Sequence, residues 1–197
     1  AKFVTTLGVM TNNRFHFGIG VSPWYEDFLA TGERWEKRGK RMDEQITILR
    51  GLMGGDYFGF KGDFYDIPDL KLCPVPSQPV PILIGGHSKL ALKRAAKLGD
   101  GWISAGITLE ETKDFINQIN SYREEFGTLD HPNYQFQVMG EAAYSPDGVK
   151  ALEDLGATEV IVAFRNAYEG GPDERTLDSM KAEISWYAEE VINKFRT

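Results

Sequence analysis

The stretch of this sequence best suited to bind an anion is a pair of glycines, Gly85 and Gly86, at the end of the apolar run Ile82–Ile84. His87 and Ser88 follow, and Ser88 is a good N-cap residue for a helix that begins there. Glycine allows the backbone to approach a ligand closely, and the amides and dipole of a helix N-terminus favour negative charge. The residues predict a phosphate-binding loop, although an ordinary strand-to-helix turn uses the same residue types.

Two further glycine loops follow predicted strands. Gly20, Val21 and Ser22 come after the first strand, and Gly106 lies in the small-residue run Ser104–Ile107 after the third strand. Parallel α/β proteins build their sites in loops at the carboxyl ends of their strands. We therefore expect these loops to contribute to a site, with Gly20 allowing the backbone to lie against a flat ring. The loop at Gly20 is equally well interpreted as a tight turn, and the loop at Gly106 as a packed loop.

Other residue types exclude several kinds of chemistry. The three histidines are far apart, and none has the i, i+4 spacing or the paired carboxylates of a zinc site, so no metal is predicted. No acidic pair is marked as catalytic, and the catalytic residues stay unassigned. Several acidic residues on predicted helices are interpreted as solvated charges or first-turn caps: Glu33, Glu36, Asp43, Glu44 and Glu110.

Composition limits the partners of the protein. The 197 residues carry a formal net charge of −7, which argues against general attraction to nucleic acid or to an anionic membrane. No apolar run approaches the roughly 18 to 20 residues of a membrane span, and no signal peptide is visible. The single Cys73 suits a reducing cytoplasm and is predicted to be a packing residue.

The candidate loops are carried by regular alternation of strands and helices, which predicts an α/β fold with parallel strands. An amphipathic helix is predicted over Glu33–Met53, and an aromatic hairpin interrupts the pattern at about 56–70. We interpret residues 1–197 as one domain. Five strand–helix units begin at Arg14, Pro81, Gly101, Tyr134 and Glu159. A closed (β/α)8 barrel needs eight such units, whereas five could form an open doubly wound sheet.

Several runs resemble one enzyme family. They are Asn13–Gly20, Arg38–Glu44, Phe60–Tyr65, Gly85–Ser88 and Ala91–Trp102. In order and spacing they are similar to the luciferase-like flavin and deazaflavin oxidoreductases, and most similar to the branch that uses the deazaflavin F420. The resemblance is specific over Arg14–Ala105.

The resemblance implies a (β/α)8 TIM barrel in which Arg14–Val21 is the fourth strand. The chain is then an incomplete barrel of five units, with the first three units missing and with them the groups usually discussed as catalytic. The resemblance implies that the cofactor phosphate is held by Gly85, Gly86, His87 and Ser88, with Gly106 beside them. It implies that the cofactor tail or ring is lined by Gly20, Val21 and Ser22. Bacterial luciferases carry a phosphate-binding arginine where this chain has Val21, which favours F420 over FMN.

The resemblance also implies a function. It predicts an oxidoreductase that transfers a hydride between F420 and a small organic substrate. One alternative is an FMN-dependent luciferase-like monooxygenase, and another is a non-catalytic flavin-binding or structural barrel protein. An incomplete barrel exposes sheet edges and apolar side chains, so a homo-oligomer, such as a dimer, is expected.

Overall fold

The computed structural model describes residues 1–165 and 171–195. The helices are α1 (Lys2–Met10), α2 (Tyr25–Thr31), α3 (Arg38–Met53), α4 (Lys89–Leu98), α5 (Leu109–Phe126), α6 (Pro146–Asp154) and α7 (Leu177–Glu190). The strands are β1 (Phe17–Ile19), β2 (Phe58–Lys61), β3 (Asp66–Leu70), β4 (Ile82–Gly85), β5 (Gly101–Ile103), β6 (Gln135–Met139) and β7 (Glu159–Ile161). Short 3-10 helices span Glu141–Tyr144 and Ile192–Lys194.

The chain divides into two compact units. The first contains Ala1–Trp102 and Ile119–Tyr134, and the second contains Ile103–Gln118 and Gln135–Thr197. In the first unit, β1 runs parallel to β4, which is also the neighbour of β5. In the second unit, β6 runs parallel to β7. Single-domain organisation stays a prediction.

The predicted α/β fold with five strand–helix units is confirmed. A helix follows each of β1, β4, β5, β6 and β7. Ile82, Leu83 and Ile84 of β4 are all buried, as expected for a parallel strand covered on both faces. Helix α4 buries Ala91, Leu92, Ala95 and Ala96 along one face. Strand β4 and helix α4 thus share one apolar layer next to the glycine loop.

The predicted helix over Glu33–Met53 is only partly correct. Helix α3 begins at Arg38, because Lys37 adopts a left-handed conformation with φ 58°. Helix α3 buries one apolar face, as an amphipathic helix does, with Met42, Ile46, Leu49, Leu52 and Met53. A short helix that the sequence analysis missed, α2, precedes α3 and packs Phe28 inward.

The predicted hairpin is confirmed, since β2 and β3 pair antiparallel. The interpretation of Glu44 as a solvated helix charge is wrong. Its carboxylate accepts hydrogen bonds from the backbone amides of Asp63, Phe64 and Tyr65 at 2.7, 3.0 and 3.2 Å. This side chain of α3 therefore holds the turn of the hairpin.

One smaller expectation also fails. Cys73 is exposed, so it is not a packing residue. The last long helix, α7, begins at Leu177 and is capped by Thr176, whose Oγ accepts a hydrogen bond from the Ser179 amide. Within the described ranges, the structure contains no helix long and apolar enough to cross a membrane.

Candidate cofactor site

The glycine loop between β4 and α4 has a backbone that requires glycine. Gly86 has φ +117°, which side-chain-bearing residues rarely adopt, and a Cβ there would lie 3.1 Å from the Cβ of Ala91. Ser88 caps α4, as predicted, with its Oγ accepting a hydrogen bond from the Ala91 amide at 3.2 Å. The first amides of a helix have no intrahelical acceptor, so those of Lys89 and Leu90 suit an anion.

A buried tryptophan is hydrogen-bonded to the glycine loop. Trp102 of β5 is fully buried, and its Nε1 donates to the carbonyl of Gly86 at 2.9 Å. Its ring centroid lies 6.0 Å from that of His87. No role is predicted for Trp102 from the sequence. A tryptophan in a buried strand is nevertheless a signal, because its indole N–H needs a hydrogen-bond acceptor.

Strand pairing brings two of the three predicted loops together. Ile19 of β1 pairs with Ile84 of β4 in parallel register, which places Gly20 beside Gly85. A Cβ on Gly20 would lie 3.7 Å from the carbonyl oxygen of Gly85. That distance is an ordinary van der Waals contact, so a side chain could be accommodated at Gly20, and the glycine instead leaves the end of β1 without side-chain bulk. The two loops form one glycine-lined surface in the first unit.

Val21 and Ser22 lie next along the chain and line an open cavity of about 470 Å³. The Ser22 hydroxyl is engaged within its own loop, where it accepts from the Trp24 amide at 3.1 Å and donates to the Asp27 carboxylate. These two hydrogen bonds stabilise the segment that leads into α2. Val21 adds an apolar side chain to the cavity wall.

Gly106 belongs to the second unit, in the loop after β5. It has φ +59°, and a Cβ there would meet nothing within 4 Å. Ser104, nearby in sequence, anchors this loop, because its Oγ accepts from the Met139 amide at 2.9 Å. The place of Gly106 beside the cofactor phosphate stays a prediction.

The arrangement in the first unit suits a phosphate in several respects. Gly86 leaves the loop backbone accessible, Ser88 fixes the start of α4, and the loop from Gly85 to Ser88 carries no acidic side chain. In the part of the chain that the structure describes, no cluster of three His, Cys, Asp or Glu side chains could hold a metal ion. The start of α4 therefore has the features that suit an anionic group.

Comparison with known proteins places these features in context. Residues 1–190 match the family described as luciferase-like monooxygenase. An uncharacterized protein of Mycobacterium tuberculosis is 45% identical over 194 residues, which are 98% of this chain and 66% of that protein. The chain thus spans less than two thirds of that relative.

Two relatives of stated activity use different cofactors. An F420-dependent glucose-6-phosphate dehydrogenase of Amycolatopsis mediterranei is 32% identical, over 78% of this chain and 47% of that protein. An FMNH2-dependent dimethylsulfone monooxygenase of Pseudomonas fluorescens is 35% identical, over 61% of this chain and 34% of that protein.

A solved structure shows the same fold. The coenzyme F420-dependent tetrahydromethanopterin reductase of Methanopyrus kandleri superposes with a TM-score of 0.69. The superposition covers 98% of this chain and 78% of that one, at 14% identity. At that identity the likeness establishes the fold alone, and the five strand–helix units correspond to part of a barrel.

Proposed function

Because the chain belongs to the luciferase-like monooxygenase family, we propose that it forms part of an F420-dependent oxidoreductase acting on a small organic substrate. The observation that carries the proposal is the contact between the two glycine loops, in which Gly20 lies against Gly85. A surface with so little side-chain bulk accommodates a flat ring and a phosphate in close contact with the backbone. The F420-dependent relative, matched over 78% of this chain, supports the choice of cofactor.

The residues have distinct tasks in this proposal. The amides at the start of α4 bind the cofactor phosphate, and Ser88 holds that helix end in place. Trp102 fixes the Gly86 carbonyl and so the loop conformation. Gly20 leaves room for the ring or the tail. F420, when bound, supplies the hydride chemistry, while the protein binds and orients it.

An FMN-dependent monooxygenase is the second candidate. It is favoured by the FMNH2-dependent relative, which is 35% identical over its matched region. The phosphate loop would serve either cofactor. Val21 favours F420, because the resemblance places an arginine of the luciferases at this position. Cofactor choice is therefore part of the test below.

Self-association and a cytoplasmic location belong to the same proposal. Helix α7 exposes Leu177 and Ile184, with 66% and 57% of their surfaces accessible, on one face at i, i+7 spacing. Exposed apolar side chains on one helix face are typical of an interaction surface. Sedimentation equilibrium should show a homodimer, and a monomer at micromolar concentration would contradict that part of the proposal.

The test is a fluorescence titration of the chain with F420 and, separately, with FMN. Ser88→Asp retains an N-cap but adds negative charge beside the phosphate. Two charges about 4 Å apart interact by about 1 kcal/mol at the dielectric constant of bulk water and by about 4 kcal/mol at that of a protein surface. F420 binding should therefore weaken roughly fivefold or more. Ser145→Asp is the matched control, because Ser145 caps α6 in the same way, accepting from the Gly148 amide at 3.1 Å.

Each outcome distinguishes between the candidates. Saturable binding of F420, weakened by Ser88→Asp but unaffected by Ser145→Asp, would support the proposal. Tighter binding of FMN, with oxygen consumption that depends on reduced FMN, would favour the monooxygenase. If the folded chain bound neither cofactor, the proposed function would be refuted.

A further inference from the structure

A second feature of the first unit is the open cavity of about 470 Å³ between β1, α2 and α3. Its walls are mainly apolar. Phe17 and Ile19 contribute from β1, Phe28 from α2, and Met42 and Ile46 from α3. The volume and the lining are those of a small-molecule pocket, in which a few polar groups set the orientation of the ligand. An apolar part of a ligand would bind against these walls.

The charged residues of the cavity are not equivalent. Asp27 is hydrogen-bonded to Ser22, and Glu33 is paired with Arg41. Arg38 differs, because it forms no ion pair with any residue that the structure describes. Its Nε is buried and has no hydrogen-bond partner among those residues. An atom without accessible surface is closed to a ligand as well as to water, so a ligand in the cavity would bind the terminal nitrogens of the guanidinium, which are not among the buried unpartnered atoms.

The Arg38 guanidinium is also held in position. Its central carbon lies 3.5 Å from the centroid of the Trp35 ring, in a cation–π stack. Phe28 and Tyr25 meet the same ring edge-on at 5.1 and 5.7 Å between centroids. A guanidinium fixed in this way loses little conformational freedom on binding. Its planar donor group matches a carboxylate, which it can bind through two parallel hydrogen bonds.

We propose that this cavity binds a small amphipathic carboxylate, such as a medium-chain aliphatic acid. The carboxylate accepts hydrogen bonds from Arg38, and the aliphatic chain lies against the apolar walls formed by Phe17, Ile19, Phe28, Met42 and Ile46. The cavity also includes Gly20, Val21 and Ser22, which the proposed function assigns to the cofactor tail or ring, so the carboxylate would lie next to the cofactor. The inference itself rests on Arg38 and the apolar walls, and its test uses the chain without cofactor.

The test is isothermal titration of the cofactor-free chain with sodium octanoate. Octanamide is the ligand control, since it has the same chain length but no charge. Octanoate is expected to bind saturably at one site per chain and at least roughly tenfold more tightly than octanamide. Arg38→Gln should weaken octanoate binding roughly tenfold or more, because charge-assisted hydrogen bonds are lost. Arg34→Gln is the matched control, since Arg34 is an exposed arginine outside the cavity lining.

Three results would overturn the proposal. They are no binding of octanoate up to roughly 10 mM, equal affinities for octanoate and octanamide, and an affinity unchanged by Arg38→Gln. Thermal melting of each variant verifies folding, and Arg38→Lys provides a second variant that retains the charge but lacks the paired donors of the guanidinium. Octanoate binding without F420 binding would refute the proposed function alone, and the reverse result would refute this inference alone.

Discussion

The hydrogen bond from Trp102 to the Gly86 carbonyl is the contact whose loss should most directly disturb the glycine loop. Trp102→Phe retains an aromatic six-membered ring in the buried site but removes Nε1 and two ring carbons. At about 0.8 kcal/mol per buried carbon, the lost burial costs about 1.5 kcal/mol. The lost hydrogen bond of 2.9 Å costs about 1 kcal/mol more. The free energy of unfolding should therefore fall by about 2 to 3 kcal/mol, out of about 5 to 15 kcal/mol for a typical domain.

The assay is urea denaturation followed by far-UV circular dichroism, because each variant removes a tryptophan and changes the fluorescence. Trp186→Phe is the matched control, since Trp186 lies on α7 with 49% of its surface exposed. Its effect should stay within about 0.5 kcal/mol. Amide hydrogen exchange provides a local measurement, and exchange at the loop from Gly86 to Ser88 should accelerate in Trp102→Phe only. Equal stabilities of the two variants, with unchanged loop exchange, would refute the assignment of Trp102 as the anchor of the loop.

Two other predictions concern pH and the hairpin. Burial raises the pKa of the Tyr134 phenol well above its ordinary value, although the Arg123 guanidinium opposes the shift. Tyr134 then ionises in the unfolded chain first, above about pH 10. As the pH rises further, the stability of the wild type relative to Tyr134→Phe should fall by up to about 1.4 kcal/mol per pH unit. A difference that stays constant with pH in alkaline denaturation experiments would contradict this. Glu44→Gln replaces a carboxylate that accepts hydrogen bonds from the backbone amides of residues 63–65. In urea titrations it should lower the free energy of unfolding by about 1 to 3 kcal/mol. The control, Glu36→Gln, changes an exposed residue and should have little effect. Equal effects of those two substitutions would show that the hairpin does not depend on Glu44.

Local patterns predicted much of this fold because their physical causes are local. Ser88 and the small apolar residues after it predict α4, and the cap forms as expected. The buried run Ile82–Ile84 predicts β4 for the same reason, since an uninterrupted apolar run is stable only when both faces are covered. Such segments carry their own boundaries in their capping and turn residues. Helix α2, which buries Phe28, was missed because its start lacks a side-chain cap, although its end is marked by Gly32 in the left-handed conformation.

The contacts that shape the candidate site could not be predicted from local sequence patterns, because they join residues that are far apart in the chain. Trp102 donates to Gly86 across 16 residues, and Glu44 accepts from the hairpin turn about 20 residues away. Arg38 is another example, because its place in the sequence predicts only an ordinary helical residue. Only the packing of Trp35 beneath it, and the burial of Nε without a partner among the described residues, distinguish it from other arginines.

The sequence by itself determined the residue types of the glycine loops, the order of strands and helices, and the resemblance to a family. Those features depend on composition and spacing along the chain. Tertiary structure alone decided that Gly20 meets Gly85, because their proximity depends on the register in which Ile19 pairs with Ile84. Register is set by the packing of whole strands, and a shift of one residue would turn each strand's side chains to the opposite face. The chain supplies the glycines, and the parallel pairing of β1 with β4 makes them one surface.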